Sequence, residues 1–392
     1  MFKALIALSC VCLSTTAVAA GDLPAGCQIA SQATGPSAQA PAPPVFPPVQ
    51  LQVRTPLAPT VLRSGAHAYL LYELHLQNFS TAPMALHGIE VRDAAHPGAP
   101  PLAVLDTAQL LARLRQATIG DDPADGSLAR LGAGQSVVAY LCLAFDAKSA
   151  VPAKLRHRVL LDNGFADGPA IGTRTTPLAV LDRPLTGTDW TPANNPALAS
   201  HHRMGLWVVD GHAQISRRYA IDWKKFDGAG QAFRGDPKDV HAYYAYGQQV
   251  LAVADGTVVA ARDCLPDNVP KTPAGFETAV PITLDTVGGN QLIIDLGRGQ
   301  FAAYFHLQPG SVQLKPGQRV RRGQPIARIG NSGDARWPHL HFQLSDAPDA
   351  MASEGLPFVF DHYRSRAADA DWETREREYP MGDVVVDFGQ AD

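Results

Sequence analysis

Pro338-His339-Leu340-His341-Phe342 decides how the second half of this chain is read. Side chains alternate across a β-strand, so an extended 338–342 turns His339 and His341 to one face and Leu340 and Phe342 into a core. Two imidazoles on one face suit a metal, or a metal and a proton carrier. Just upstream, Ile329-Gly330-Asn331-Ser332-Gly333 is a turn sequence that would deliver such a strand. Tyr304-Phe305-His306-Leu307 adds a third histidine in a second strand-like run, Gln300 to Leu307. An H-x-H alone is common on surfaces and in cores; three histidines on two strands point to a site.

The surrounding texture is all-β. Asp210-Gly211 between Met204–Val209 and Gln214–Trp223 is a hairpin signal, and Leu292–Leu296 and Phe301–Leu307 flank a second turn at Gly297-Arg298-Gly299. In the first half, Ala68–Asn78 alternates Leu and Tyr with Glu, His and Gln, the pattern of a half-buried strand. Leu86–Val91, Ser136–Phe145 and Leu155–Leu161 continue the series, with one short helix at Thr107–Arg115. The expected architecture is an N-terminal Ig-like antiparallel β-sandwich over 49–182, a Pro- and Asn-containing linker over 183–200, and an antiparallel β-sheet domain over 201–392. His75, His87 and His157 share no spacing, so the sandwich is assigned no chemistry.

Residues 1–20 read as a secretory signal peptide: Lys3, an apolar run, then Ala17-Val18-Ala19-Ala20. The apolar run is too short to span a bilayer, so no membrane span is expected after cleavage. Residues 21–48 form a flexible Pro- and Ala-rich segment. A formal net charge of -4 without a basic run argues against a nucleic-acid partner. Of five cysteines, Cys27, Cys142 and Cys264 follow the leader. Their spacing is no disulfide framework: at most one bridge is expected, and if one forms, Cys142, in an apolar run, is expected to be the buried free thiol.

Tyr246-Gly247-Gln248-Gln249-Val250-Leu251-Ala252-Val253-Ala254-Asp255-Gly256-Thr257-Val258 is similar to the YGxxVxAxxDGxV block of the lysostaphin-type (LytM-like) zinc metallo-endopeptidases. Gly289-Asn290, Tyr304–Leu307, Val320–Gln324, Ile329–Gly333 and Pro338–Phe342 follow in that family's order, so the resemblance covers about residues 200 to 345. It implies one Zn2+ in a groove on an antiparallel sheet, cleaving peptide bonds of peptidoglycan cross-links in the periplasm or outside the cell. It further implies Asp222 and His341 as metal ligands, with His306 and His339 catalytic, flanking the attacking water.

One position departs. Arg218 stands where the family has its first histidine ligand, and arginine cannot ligate zinc. A two-residue turn at Asp210-Gly211 makes paired positions sum to a constant, which sets residue 202 opposite 219 and 201 opposite 220. His202 is therefore the expected third ligand, with His201 in reserve and His212 a weaker candidate; a surface His-His pair is the plain alternative. Arg218 itself reads either as a partner for a substrate carboxylate or as a solvated strand residue. The rival functional reading is a catalytically inactive member that binds cell wall or activates a separate hydrolase.

Overall fold

The computed structural model describes residues 23–31, 46–115, 129–162, 164–198 and 200–390; the expected leader and most of the 21–48 segment lie outside the described residues. Two six-stranded sheets form the N-terminal half. One runs Gln28–Ile29, Ser136–Asp146, His67–Asn78, Leu51–Arg54, with Val61–Ser64 also paired to His67–Asn78 and Leu114–Arg115 to Ser136–Asp146. The other runs Gly164–Asp167, Lys154–Leu161, Met84–Asp93, Ala103–Leu105, with Ile171–Gly172 also paired to Lys154–Leu161 and Arg130–Leu131 to Met84–Asp93. They share a core in which Leu70, Leu74, Val137 and Leu141 meet Ile89, Val91, Leu155 and Val159. The short helix is Thr107–Leu111, closed by a capping box between Asp106 and Gln109.

The His67–Asn78 strand is buried on both faces, not one. Leu70, Tyr72, Leu74 and Leu76 enter the sandwich core, whereas Tyr69 and Leu71 belong to the core of the second half. Its neighbour Ser136–Asp146 does the same, sending Cys142 and Ala144 outward to that second core. The polar alternation seen in the sequence marks a face that meets protein instead of solvent. Cys142 is not a free thiol: it is disulfide-bonded to Cys27, and Cys264 is the free, exposed cysteine.

An eleven-stranded sheet carries the second half, in the order Ala179–Leu181, Phe358–Arg366, Val385–Asp387, Trp190–Ala193, Ile221–Lys225, Leu340–Ser345, Gln300–Leu307, Asn290–Gly297, Gly256–Arg262, Arg319–Val320, with Glu373–Glu378 paired to Phe358–Arg366. Two of these strands come from segments read differently in the sequence. Ala179–Leu181 lies within the span expected to be sandwich, and Trp190–Ala193 lies within the expected linker, beside Ile221–Lys225. Trp190 is fully buried, and its Nε1–H donates to Thr186 O at 2.9 Å, so this connection is core rather than spacer. Residues past 350, for which no element was read, add three further strands.

Candidate active site

Strand register assembles the site. Ala193 pairs with Asp222, Asp222 with His341, and His341 with Phe305, so one row crosses four strands of the sheet. Directly paired residues share a face, which brings the Asp222 carboxylate and the His341 ring together. His341 Nδ1 lies 2.9 Å from Asp222 Oδ1. His339, two residues before His341, falls on the same side with its Nε2 3.4 Å from that oxygen. Leu340 and Phe342 point the other way, into the core.

His306 arrives by breaking the alternation. Strict period two would send it into the core with Tyr304, yet both Phe305 and His306 line the cleft. Its backbone φ is 61°, a left-handed conformation uncommon for a residue with a side chain. Three bonds hold it there: its N–H donates to Gly288 O at 2.9 Å, its carbonyl accepts from Gly330 N at 3.0 Å, and Nδ1–H donates to Ser332 O at 2.9 Å.

His202 comes from the turn before the hairpin. Asp210 and Gly211 have φ of 50° and 79°, and Trp207, Val208 and Val209 pair with Gln214, Ala213 and His212, the register expected from a two-residue turn. That ladder ends at Trp207–Gln214, and the chain on both sides then turns inward. His202 is 2% exposed with Nε2 3.6 Å from Asp222 Oδ1. His201 is exposed but packs against the His202 ring, centroids 4.5 Å apart, and its ligand atom can join those of His202 and Asp222 within 4.8 Å. His212 is exposed in the hairpin and does not line the cleft.

The donors are in the states a cation needs. Burial pushes the Asp222 carboxyl up, but His202, His339 and the hydrogen bonds from His339 and His341 outweigh it and hold the group well below the usual carboxylate range. Asn194 Nδ2 donates to the second oxygen at 2.6 Å. Burial drives His202 and His306 well below the ordinary histidine value, so both are neutral near pH 7. His341 sets Nε2 2.9 Å from Gln343 Oε1 and Nδ1 2.9 Å from Asp222 Oδ1, and a cation between Nδ1 and the carboxylate would take the place of the proton they share. His339 Nδ1–H donates to Trp337 O at 2.7 Å, with Nε2 turned to Asp222 Oδ1 at 3.4 Å. Nitrogen and oxygen donors about 2.0–2.1 Å from a tetrahedral zinc stand about 3.3 Å from one another. The separations of 2.9, 3.4 and 3.6 Å around Asp222 Oδ1 fit that span, as does the His and carboxylate chemistry.

The cleft, of about 740 Å³, also bears Arg217, Lys224 and Lys271, none with a carboxylate at ion-pair distance among the described residues. Phe305 stacks on His341 at 5.3 Å and 16°. Arg218 is neither in the cleft nor solvated. Its Nη2 donates to Glu73 Oε2 at 2.9 Å and its Nη1 to Glu354 Oε2 at 2.6 Å, in a buried cluster between the two halves. Asn194 and Gln343 were not singled out in the sequence. Gln343 was within reach, since it continues the alternation of 339 and 341; Asn194 gave no signal.

Residues 238–352 match the model of Peptidase family M23, a span that includes His306, His339 and His341 but not His202 or Asp222. Peptidoglycan DD-endopeptidase ShyA of Vibrio cholerae serotype O1 is 34% identical over 80 residues, 20% of this chain and 18% of that protein. Cell division protein DipM of Caulobacter vibrioides is 25% identical over 173 residues, 44% of this chain and 23% of that protein. The chain thus spans roughly a fifth of the length of these curated relatives. Among solved structures, a zinc containing peptidase from Vibrio cholerae is similar at 17% identity, covering 78% of this chain and 86% of that one with a TM-score of 0.22, a likeness that carries no argument.

Proposed function

Starting from a chain that carries a peptidase family M23 domain over residues 238–352, we propose that it is a zinc metallo-endopeptidase hydrolysing peptide bonds in peptidoglycan cross-links. The observation that carries this reading is the convergence of three histidine nitrogens within 3.6 Å of one buried carboxylate oxygen. A relative named a peptidoglycan DD-endopeptidase supports the substrate class. The unpaired cations of the cleft support it too, because the stem peptides of peptidoglycan carry carboxylates.

Asp222, His341 and His202 hold the metal. When bound, zinc supplies Lewis-acid polarisation of the scissile carbonyl and an acidified nucleophile. His306, with Nδ1–H committed to Ser332 O, offers Nε2 as a proton acceptor; His339, committed to Trp337 O, does the same. These two rings flank the attacking water, take its proton, and return it to the leaving amine. Both are kept in one tautomer by a backbone carbonyl, so neither must reorient during turnover. Phe305 and Gln343 fix the His341 ring from its face and its edge.

The rival reading, a non-catalytic wall binder, drew on Arg218. Since that arginine pairs with Glu73 and Glu354 while His202 stands beside Asp222, its presence removes nothing from the site. The Cys27–Cys142 disulfide supports an oxidising compartment, periplasmic or extracellular. No helix among the described residues is long and apolar enough to cross a membrane.

Metal analysis of the purified protein together with release of soluble peptides from isolated sacculi tests the proposal. The expected result is about one zinc per chain and peptide release, both lost in Asp222→Ala. Zinc-free protein, or sacculi digested equally by Asp222→Ala, overturns it.

A further inference from the structure

We propose that Glu73 of the sandwich is a positioning residue for His202, acting through Arg203, so that the N-terminal half completes the metal site. The inference rests on the reading of His202 as a ligand.

His202 lacks the device that usually fixes a ligating histidine. Its far nitrogen, Nδ1, is buried without a hydrogen-bond partner, whereas His306, His339 and His341 each have theirs tied to an acceptor. The orientation of the His202 ring therefore falls to its backbone and to the rings of His201 and His341 at 4.5 and 4.8 Å. On one side the backbone is held within the second half: His202 N–H donates to Ser200 Oγ at 3.1 Å, and Ser200 Oγ–H donates to Asn194 O at 2.8 Å.

On the other side it is held by the sandwich. Arg203, fully buried, reaches out of the turn and donates to Glu73 Oε1, to Tyr72 O at 3.0 Å and to Leu141 O at 3.3 Å, with its guanidinium over the Tyr140 ring at 5.2 Å. Among the described residues, the partners of that side chain lie on two sandwich strands, 67–78 and 136–146. Glu73 is itself fixed by Arg218, leaving the carboxylate no freedom to follow Arg203 elsewhere. The residue next to His202 is thus clamped to a domain that, among the described residues, contributes no side chain to the cleft.

The test uses the full chain with Arg203→Met, which leaves Glu73 still paired with Arg218, and with Arg203→Lys, which keeps charge but cannot span Glu73 and both carbonyls. Zinc affinity is read by competition with a chromophoric chelator, and site geometry by the visible absorption of the cobalt-substituted protein. Ile89→Ala, in the second sandwich sheet, controls for lost sandwich stability. Both Arg203 variants are expected to bind zinc about tenfold or more weakly with altered cobalt bands, Arg203→Lys the less affected, while Ile89→Ala melts lower yet binds zinc as the wild type does. Wild-type affinity and cobalt spectrum in a folded Arg203→Lys or Arg203→Met, or an equal loss in Ile89→Ala, overturns the proposal. Zinc binding unchanged in Asp222→Ala would instead defeat the site reading on which it rests.

Discussion

Two buried charge clusters flank the 200–222 segment, and they differ in what they leave unsatisfied. Around Asp222 the partners are imidazoles, of which burial keeps His202 neutral near pH 7, one nitrogen is orphaned, and the group opens on a cleft. Around Glu73 the partners are two guanidiniums that never lose their charge, both carboxylate oxygens are used, and the group is closed between two halves of the molecule. Burial raises the Glu73 carboxyl, but Arg203 and Arg218 outweigh it and hold the group below its usual value. A cluster of fixed charges suits cohesion; one of adjustable charges, with room beside it, suits a cation and proton transfer.

That contrast is breakable in order of effect. His306→Ala should cut kcat by about 10²- to 10⁴-fold while zinc content stays at the wild-type level, as for loss of a general base; equal turnover would take His306 out of the chemistry. Glu73→Leu strips buried Arg203 of its counter-charge, leaves Arg218 only Glu354, and should cost about 3–5 kcal/mol of stability. Thermal melts of chelator-treated Asp222→Ala, whose partners are imidazoles rather than guanidiniums, should show a smaller loss. Equal losses would erase the distinction drawn between the clusters.

The sandwich core supplies a third test. His157 is fully buried, bonded to Tyr72 Oη at 2.9 Å, and burial pushes its pKa down to about 3. Between that value and the unfolded value near 6.5, the unfolded chain binds the extra proton. Stability is therefore complete above about pH 6.5 and falls with acidification, by about 2 kcal/mol between pH 7 and 5. His157→Gln should flatten that slope; an unchanged slope in denaturant titrations would assign it to other groups. Last is His202→Ala, expected to weaken zinc binding by an order of magnitude or more and by at least as much as the Arg203 variants, with His212→Ala leaving it unchanged. The reverse pattern would move the third ligand to His212.

What the sequence disclosed follows from how local each feature is. His339 and His341 were legible because period two is a property of the strand alone, and the Asp210-Gly211 turn fixed its ladder because two residues with positive φ leave little choice. The Glu73–Arg218 pair spans 145 positions, and alternation reads the same whether a polar face meets water or a second domain. The half-buried reading of 68–78 and the assignment of Arg218 to substrate or solvent both failed on that point. Asn194 was hidden in a stretch whose prolines and asparagines suggested a linker, although Trp190–Ala193 had a strand to join. The left-handed turn of His306 had no sequence mark, since nothing but histidine stands there.

Anomalous scattering at the zinc edge, from crystals of the protein grown with zinc, tests the central claim most directly. A single peak within about 2.0–2.2 Å of Asp222 carboxylate oxygen, His341 Nδ1 and His202 Nε2 is the predicted result. A cleft without a peak, or a peak bonded to neither Asp222 nor His341, would contradict it.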